Sequence, residues 1–188
     1  MAFAIPSSSM KLPFNRSYWV MPGMLLAGCY PGSPDIDEAI QKLTALLDCG
    51  IRRIVNLMEP DELDHGGRAF VGYERRLESL AKAVNTDISV TCFPIPDRWI
   101  PSRVRMGRIL DHIDESIQKG IPVYIHCWGG RGRTGTVVGC YLARHGLASD
   151  RQILKTIKEL RRNVEDAHLD SPETNQQMDL VLSWVEGE

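Results

Sequence analysis

The sequence predicts a single α/β domain with a largely parallel central sheet flanked by helices on both faces. Three observations carry this prediction. From about Tyr18 onward, short apolar runs alternate with segments of helical period, the pattern of strand–helix–strand units. A chain of 188 residues suits one domain with a sizeable core. Hydrophobic residues make up 43% and charged residues 24%, the ordinary balance of a globular chain, and neither an internal repeat nor a low-complexity linker interrupts it.

The elements follow in order. Residues 1–16 are expected as a flexible tail and residues 17–188 as the domain. Ser17–Val20 and Met24–Tyr30 flank Pro22-Gly23, a hairpin with a type II turn signal. Ser33-Pro34 opens a helix as N-cap and first position, with Ile36, Ala39, Ile40, Leu43 and Leu47 on its apolar face and Gly50 at its end. Ile51–Met58 is a strand, and the polar stretch Glu59–Gly67 is a loop beyond it. Phe70–Val84 carries Tyr73, Leu77, Leu80, Ala81 and Val84 at helical spacing. Ile88, Val90 and Cys92 alternate as a strand, and the proline-rich Phe93–Pro101 is a loop. Ser102 caps a helix facing inward through Met106, Ile109, Leu110, Ile113 and Ile117, which Gly120 ends. Ile121–Ile125 is a strand, and Thr136–Arg144 a helix closed by Gly146. Ser149 and Gln152 form a capping box for a helix with Ile153, Leu154, Ile157 and Leu160 on its buried face. Ser171-Pro172 opens the last helix, faced by Met178, Val181, Leu182 and Val185.

The net charge of −2 argues against a general nucleic-acid or membrane-surface binder. No apolar run approaches membrane-spanning length, and Met1–Pro13 lacks the basic start and apolar block of a secretory leader. The five cysteines are odd in number and without metal-ligand spacing. They point to a reducing, cytoplasmic location with no structural disulfide and no zinc site. Cys140, in an apolar helix, and Cys92, in a strand, are expected in the core; either could trap an oxidised Cys127.

The chemistry concentrates in His126-Cys127-Trp128-Gly129-Gly130-Arg131-Gly132-Arg133-Thr134-Gly135, between a strand and a helix. A helix start offers unpaired N–H groups and the positive end of a dipole, which make it an anion site. The glycines let successive N–H groups turn inward as a nest, Arg133 adds a planar fork for two oxygens, and the field at Cys127 favours thiolate. Gly130-x-Gly132-x-x-Gly135 also fits a dinucleotide fingerprint, but no second strand ending in an acid follows at the required distance. A Walker loop fails because Thr136 stands where lysine is required. A buried cysteine in a glycine-rich turn is the plainer alternative.

Cysteine, five residues, arginine, then threonine resembles the signature loop of the cysteine-dependent protein tyrosine phosphatases, nearest to their small dual-specificity-like members; the match rests on His126, Cys127, Gly130, Arg133, Thr134 and Gly135. The resemblance extends to the order of elements over nearly the whole chain and implies the cysteine-phosphatase fold for 17–188. It implies Cys127 as nucleophile forming a cysteinyl phosphate, with Arg133 and the loop Trp128, Gly129, Gly130, Arg131 and Gly132 binding phosphate. It also implies a Thr134 hydroxyl that eases departure of the sulfur and a His126 that organises the loop; the plainer roles are a helix cap for Thr134 and a satisfied core residue for His126. The general acid is expected on a mobile loop, and Asp97 in Pro94-Ile95-Pro96-Asp97-Arg98-Trp99 resembles that of the dual-specificity-like members. The alternative for Asp97 is a turn residue beside proline. Asp61, Glu62 and Asp64 are fallback acids, while Asp111 and Asp114 are read as helix surface.

Other positions stay open at this point. Arg131 adds charge for a polyanionic substrate or contacts an acidic neighbour. Trp128 and Trp99 wall the pocket mouth or stand on its rim. Glu173, Thr174 and Gln177 faintly resemble a family segment whose glutamine positions water, with plain helix surface as the favoured reading for Gln176 and Gln177. Basic residues on both sides of the loop, typical of lipid-phosphatase members, are half present, as Arg131 without a partner at Trp128; Arg68, Arg75, Arg98 and Arg103 are candidate pocket cations. No match to the tyrosine-bearing recognition loop of tyrosine-specific enzymes is found. The expected function is metal-independent hydrolysis of phosphotyrosine, phosphoserine or phosphothreonine, without cofactor, by a monomer acting on a phosphorylated protein or small phosphoester. The alternatives are an inositol phosphate or phosphoinositide phosphatase and an inactive phosphoprotein-binding module.

Overall fold

The computed structural model describes residues 11–188. Among them a five-stranded sheet runs in the order β1-β2-β5-β3-β4. The strands are β1 (Ser17–Met21), β2 (Leu25–Gly28), β3 (Arg53–Asn56), β4 (Ser89–Cys92) and β5 (Val123–His126). Only the β1–β2 hairpin is antiparallel. Its turn closes with Met24 N–H donating to Met21 O at 3.1 Å, and Gly23 takes the positive φ of 69° that a type II turn demands.

Period-two alternation divides the core. Leu26, Ile54 and Tyr124 face α1 (Ile36–Asp48) and α2 (Glu74–Ala83). Ala27, Val55, Val123 and Ile125 face α3 (Arg103–Gln118), α4 (Gly132–Arg144), α5 (Asp150–Leu160) and α6 (Asn175–Leu182). A sheet with parallel strands covered on both sides is the predicted class. Its parallel strands end level, with Gly28 opposite His126, His126 opposite Asn56, and Asn56 opposite Cys92. The loops that follow them meet at one edge, where ligands of such sheets sit. Among the described residues no helix is long and apolar enough to cross a membrane.

Several elements depart from the sequence pattern. Asp35, not Ser33, caps α1 by accepting from Glu38 N–H; Ser33 donates its hydroxyl to Glu38 at 2.6 Å. Ile36 and Ile40 are exposed, and Leu46 joins Ala39, Leu43 and Leu47 in the core. Ser149 occupies the N-cap of α5 without a side-chain bond. The last helix starts at Asn175, three residues beyond Pro172, behind a capping box of Thr174 and Gln177. It buries Gln177, Leu180 and Val181 and leaves Val185 exposed. Cys140 is buried as expected, but Cys92 is exposed, because β4 is an edge strand with a neighbour on one side only.

The tail expected over residues 1–16 is seated on the domain from residue 11. Leu12 and Phe14 pack against the α1–α2 core, and Lys11 O accepts from Trp19 Nε1 at 3.1 Å. Residues 1–10 lie outside the described residues.

Candidate active site

Strand β5 delivers His126 and Cys127 to the edge where the loops meet, and α4 starts at Gly132. The helix therefore begins four residues before the predicted Thr136. Gly132 and Gly135 hide the first turn from any apolar periodicity. Arg133 and Thr134 belong to that turn rather than to the loop. The N-cap position is Arg131, whose side chain provides no acceptor for the first N–H groups. Those groups are available to an anion, reinforced by the helix dipole.

Cys127 is 3% exposed, and its sulfur accepts from the Thr134 hydroxyl at 3.1 Å. Gly130 sits at a φ of 72°, and a Cβ there would stand 2.4 Å from the carbonyl carbon of Gly28. Only glycine fits at that contact between the loop and β2. His126 is fully buried behind the loop. Its Nε2 shares a 2.7 Å hydrogen bond with the Tyr73 hydroxyl, and its ring stacks on Tyr124. Burial is the main cause that pushes its pKa down to about 3 from an ordinary 6.5, with the charge of Arg133 acting the same way. The ring is neutral at working pH and supports the loop without entering the cavity.

Arg133 is the hub. Its side chain is 1% exposed and carries a two-pronged pair with Glu62, at 2.5 and 2.7 Å. A further N–H donates to Ile95 O at 3.1 Å, and Asp97 Oδ1 lies 2.9 Å from Nη2. One guanidinium thus joins the loop after β3, the loop after β4 and the start of α4. Glu62, read from sequence as a fallback acid, is committed to this pair. Nothing separated it from Asp61 and Asp64 in a polar stretch 71 positions upstream.

A cavity of about 440 Å³ opens over Cys127, lined by Asp97, Trp128, Gly129, Arg131, Gly132 and Arg133 among others. The structure thus brings together every predicted position except His126, Gly130 and Thr134, which support the loop from behind. Trp128 forms a wall, edge-on to His65 and Phe70. Trp99 is exposed and off the lining; its carbonyl accepts from Gln177 Nε2 at 3.1 Å. Gln177 is fully buried, contrary to the surface role expected for it, and its Oε1 accepts from Glu173 N–H and Thr174 N–H. It thereby ties the Asp97 loop to α6.

The cavity's other cations are already paired. Arg131 meets Glu173 at 2.6 Å, and Arg98 meets the same carboxylate at 3.8 Å. Arg16 pairs with Asp166 at 3.2 Å and donates to Gly129 O at 3.1 Å, so a residue expected in the tail buttresses the signature loop. Of the candidate pocket cations, Arg68 and Arg103 pair elsewhere, with Asp64 and Glu188, and Arg75 does not line the cavity. Among the described residues no group of His, Cys, Asp and Glu is arranged to hold a metal ion.

A thiol under a helix N-terminus, a buried arginine fork and a parallel sheet are the frame of a cysteine-dependent phosphatase. Residues 14–181 match the family described as PTP-SAK, Swiss Army Knife protein, DSP-PTPase phosphatase domain, and the chain belongs to that family. The phosphatidylglycerophosphate phosphatase PTPMT2 of Arabidopsis thaliana is 28% identical over 143 residues, 74% of this chain and 53% of that protein. The uncharacterized protein MJECL20 of Methanocaldococcus jannaschii is 39% identical over 54 residues, 29% of this chain and 37% of that protein. The chain spans about half or less of these relatives' lengths. Among solved structures, Tk-PTP in its active form superposes with a TM-score of 0.61 at 25% identity, over 88% of this chain and 93% of that one. Kinase associated phosphatase, at a TM-score of 0.63 and 21% identity over 84% and 83%, shares the fold. So does PTPMT1 in complex with PI(5)P, at 0.62 and 14% over 89% and 93%.

Proposed function

We propose that this domain hydrolyses phosphate monoesters through a cysteinyl phosphate, with phosphotyrosine, phosphoserine or phosphothreonine of proteins as its substrates. The observation that carries the reading is the Cys127 sulfur, bonded by Thr134 and set beneath an arginine that Glu62 and Asp97 hold in place. In the first step the thiolate attacks phosphorus, and the P–O bond to the leaving group breaks. Arg133 and the first-turn N–H groups take up charge on the equatorial oxygens. A phosphate occupying Arg133 displaces Asp97 towards the leaving oxygen, which Asp97 protonates. In the second step Asp97 removes a proton from water, water attacks phosphorus, and the sulfur departs assisted by Thr134. No metal is required by this sequence of steps.

The pairing of Arg16, Arg98 and Arg131 with Asp166 and Glu173 supports a substrate bearing one phosphate over a polyphosphorylated inositol. A second reading, a phospholipid or phosphoinositide phosphatase of the same mechanism, is favoured by the likeness to the PTPMT2 phosphatidylglycerophosphate phosphatase. An inactive binding module would need neither Cys127 nor Asp97.

Hydrolysis of an aryl phosphate in EDTA tests the chemistry. Wild type should turn over, Cys127→Ser should be inactive, and Asp97→Ala should lose about 10²-fold or more in kcat. Activity surviving in Cys127→Ser would reject Cys127 as nucleophile. A wild type that binds vanadate without turnover would move the binding module ahead. Side-by-side rates on phosphopeptides and on phosphatidylglycerophosphate micelles decide between the two substrate classes.

A further inference from the structure

A second cavity, of about 240 Å³, opens beside the first, between α5 and the segment leading to α6. Leu169, which is 41% exposed, lines both cavities, so the two adjoin at that residue. The ridge that carries Leu169 is fixed at both ends. Arg161 holds Asp166 at 2.6 Å and donates to Leu169 O at 3.2 Å, and the Ser171 hydroxyl donates to Arg131 O at 2.8 Å. The second cavity is thus registered to the signature loop itself.

Its lining has two characters. Leu154, Ala167 and Met178, with Leu169, provide apolar surface, and Lys155, Lys158 and His168 stand around it. Lys155 and Lys158 lie three positions apart on α5, on one side of the helix. Among the described residues neither ammonium has an acidic partner within an ion-pair distance. Asp170 is the acid of the lining, and Arg161 is neutralised by Asp166. The contrast with the first cavity is the point: there each arginine already holds a carboxylate, whereas here two cations are unspent.

We propose that this second cavity is a substrate subsite that anchors an acidic side chain, with its apolar stem or neighbour, flanking the phosphoresidue of a protein substrate. The proposal rests on the phosphoprotein reading of the first cavity and adds its selectivity. A peptide lying across Leu169 would set its phosphate over Cys127 and its carboxylate between Lys155 and Lys158. The volume is below the usual range for a small-molecule site and accommodates a side chain or two, which favours a peptide over the acyl chains of a lipid.

The test compares two phosphotyrosine peptides, one with Glu and Leu flanking the phosphoresidue and one with Ser and Ala there. Wild type at low salt should prefer the acidic peptide by roughly fivefold or more in kcat/KM, the order expected of two partly exposed charge pairs. The double variant Lys155→Glu, Lys158→Glu should lose or invert that preference while hydrolysing an aryl phosphate like wild type. Equal rates on the two peptides, or a preference that survives the double variant, would overturn the subsite. So would a double variant that slows hydrolysis of phospholipid micelles and leaves peptide preference intact, which would assign the lysines to a lipid. Aryl phosphate turnover by wild type reports separately on the catalytic reading. Anisotropy titration of Cys127→Ser with the same peptides reads the preference without turnover.

Discussion

Arg133 keeps a full charge where almost no water reaches it. Burial opposes that charge, and the hydrogen bonds that Arg133 donates to Glu62, with the nearby charges of Cys127, Glu62 and Asp97, outweigh burial and raise its pKa further. Such a pair is not a strong source of stability in itself, but losing one partner strands the other. Glu62→Gln keeps the shape and removes the charge. Unfolding should become easier by about 1–3 kcal/mol, and vanadate affinity should fall because the fork is no longer held at two points. Thermal unfolding and a vanadate titration check both. A Glu62→Gln protein with wild-type stability and affinity would mean that the pair positions nothing. Sequence spacing exposed Cys127 and Arg133 because their roles are written into one continuous loop. Glu62 could not be singled out, since its role exists only after two loops have been folded against each other.

At the scale of elements, α6 acts as the backstop of the loop that carries Asp97. Its buried glutamine donates to Trp99 O and receives two backbone N–H groups, while Thr174 Oγ1 reaches towards Arg98 O at 3.5 Å. Gln177→Ala leaves those buried groups without partners, at a cost of about 1–3 kcal/mol, and frees the segment that carries Asp97. Steady-state kinetics on an aryl phosphate should show kcat falling several-fold with KM within about twofold, since a transition-state interaction is what loosens. A change confined to KM would reject this role. The same glutamine explains why the observed buried face of α6 differs from the one that periodicity predicts. Apolar periodicity counts Gln177 as surface and so rotates the predicted face towards Val185, away from Leu180 and Trp184. In α1, α3 and α5 most of the apolar face packs inward as the periodicity predicts, and α1 and α3 are legible to within a residue or two at each end. The strand order, with β5 entering between β2 and β3, was not legible, because nothing local records which edge a strand joins.

At the scale of the whole molecule, His126 couples the fold to pH. Its folded-state pKa of about 3 lies below the ordinary 6.5 expected once the chain unfolds. The unfolded chain therefore binds the extra proton between those values. The contribution of this residue is fully present above about pH 6.5 and is lost as pH falls towards 3. Thermal unfolding midpoints should decline from pH 7 to pH 5, and His126→Asn should flatten that decline while lowering stability at pH 7. An unchanged slope in the variant would place the acid sensitivity elsewhere. The neutral ring stands behind Cys127 at the end of β5, which pairs with β2, and there the backbone leaves no room for a side chain at two positions. A Cβ at Gly28 would meet Arg16 O at 2.5 Å, and one at Gly130 would meet Gly28 itself. Gly28 and Gly130, about a hundred positions apart, are thus each held to glycine by close neighbours, those of Gly130 being the backbone of Gly28 and Cys29. The signature stretch is consequently not a portable cassette. Grafted onto another strand–helix junction, it would lack the floor that the hairpin provides and would relax into an ordinary glycine-rich turn. A designer who wished to move this chemistry to a new scaffold would have to carry the hairpin with it.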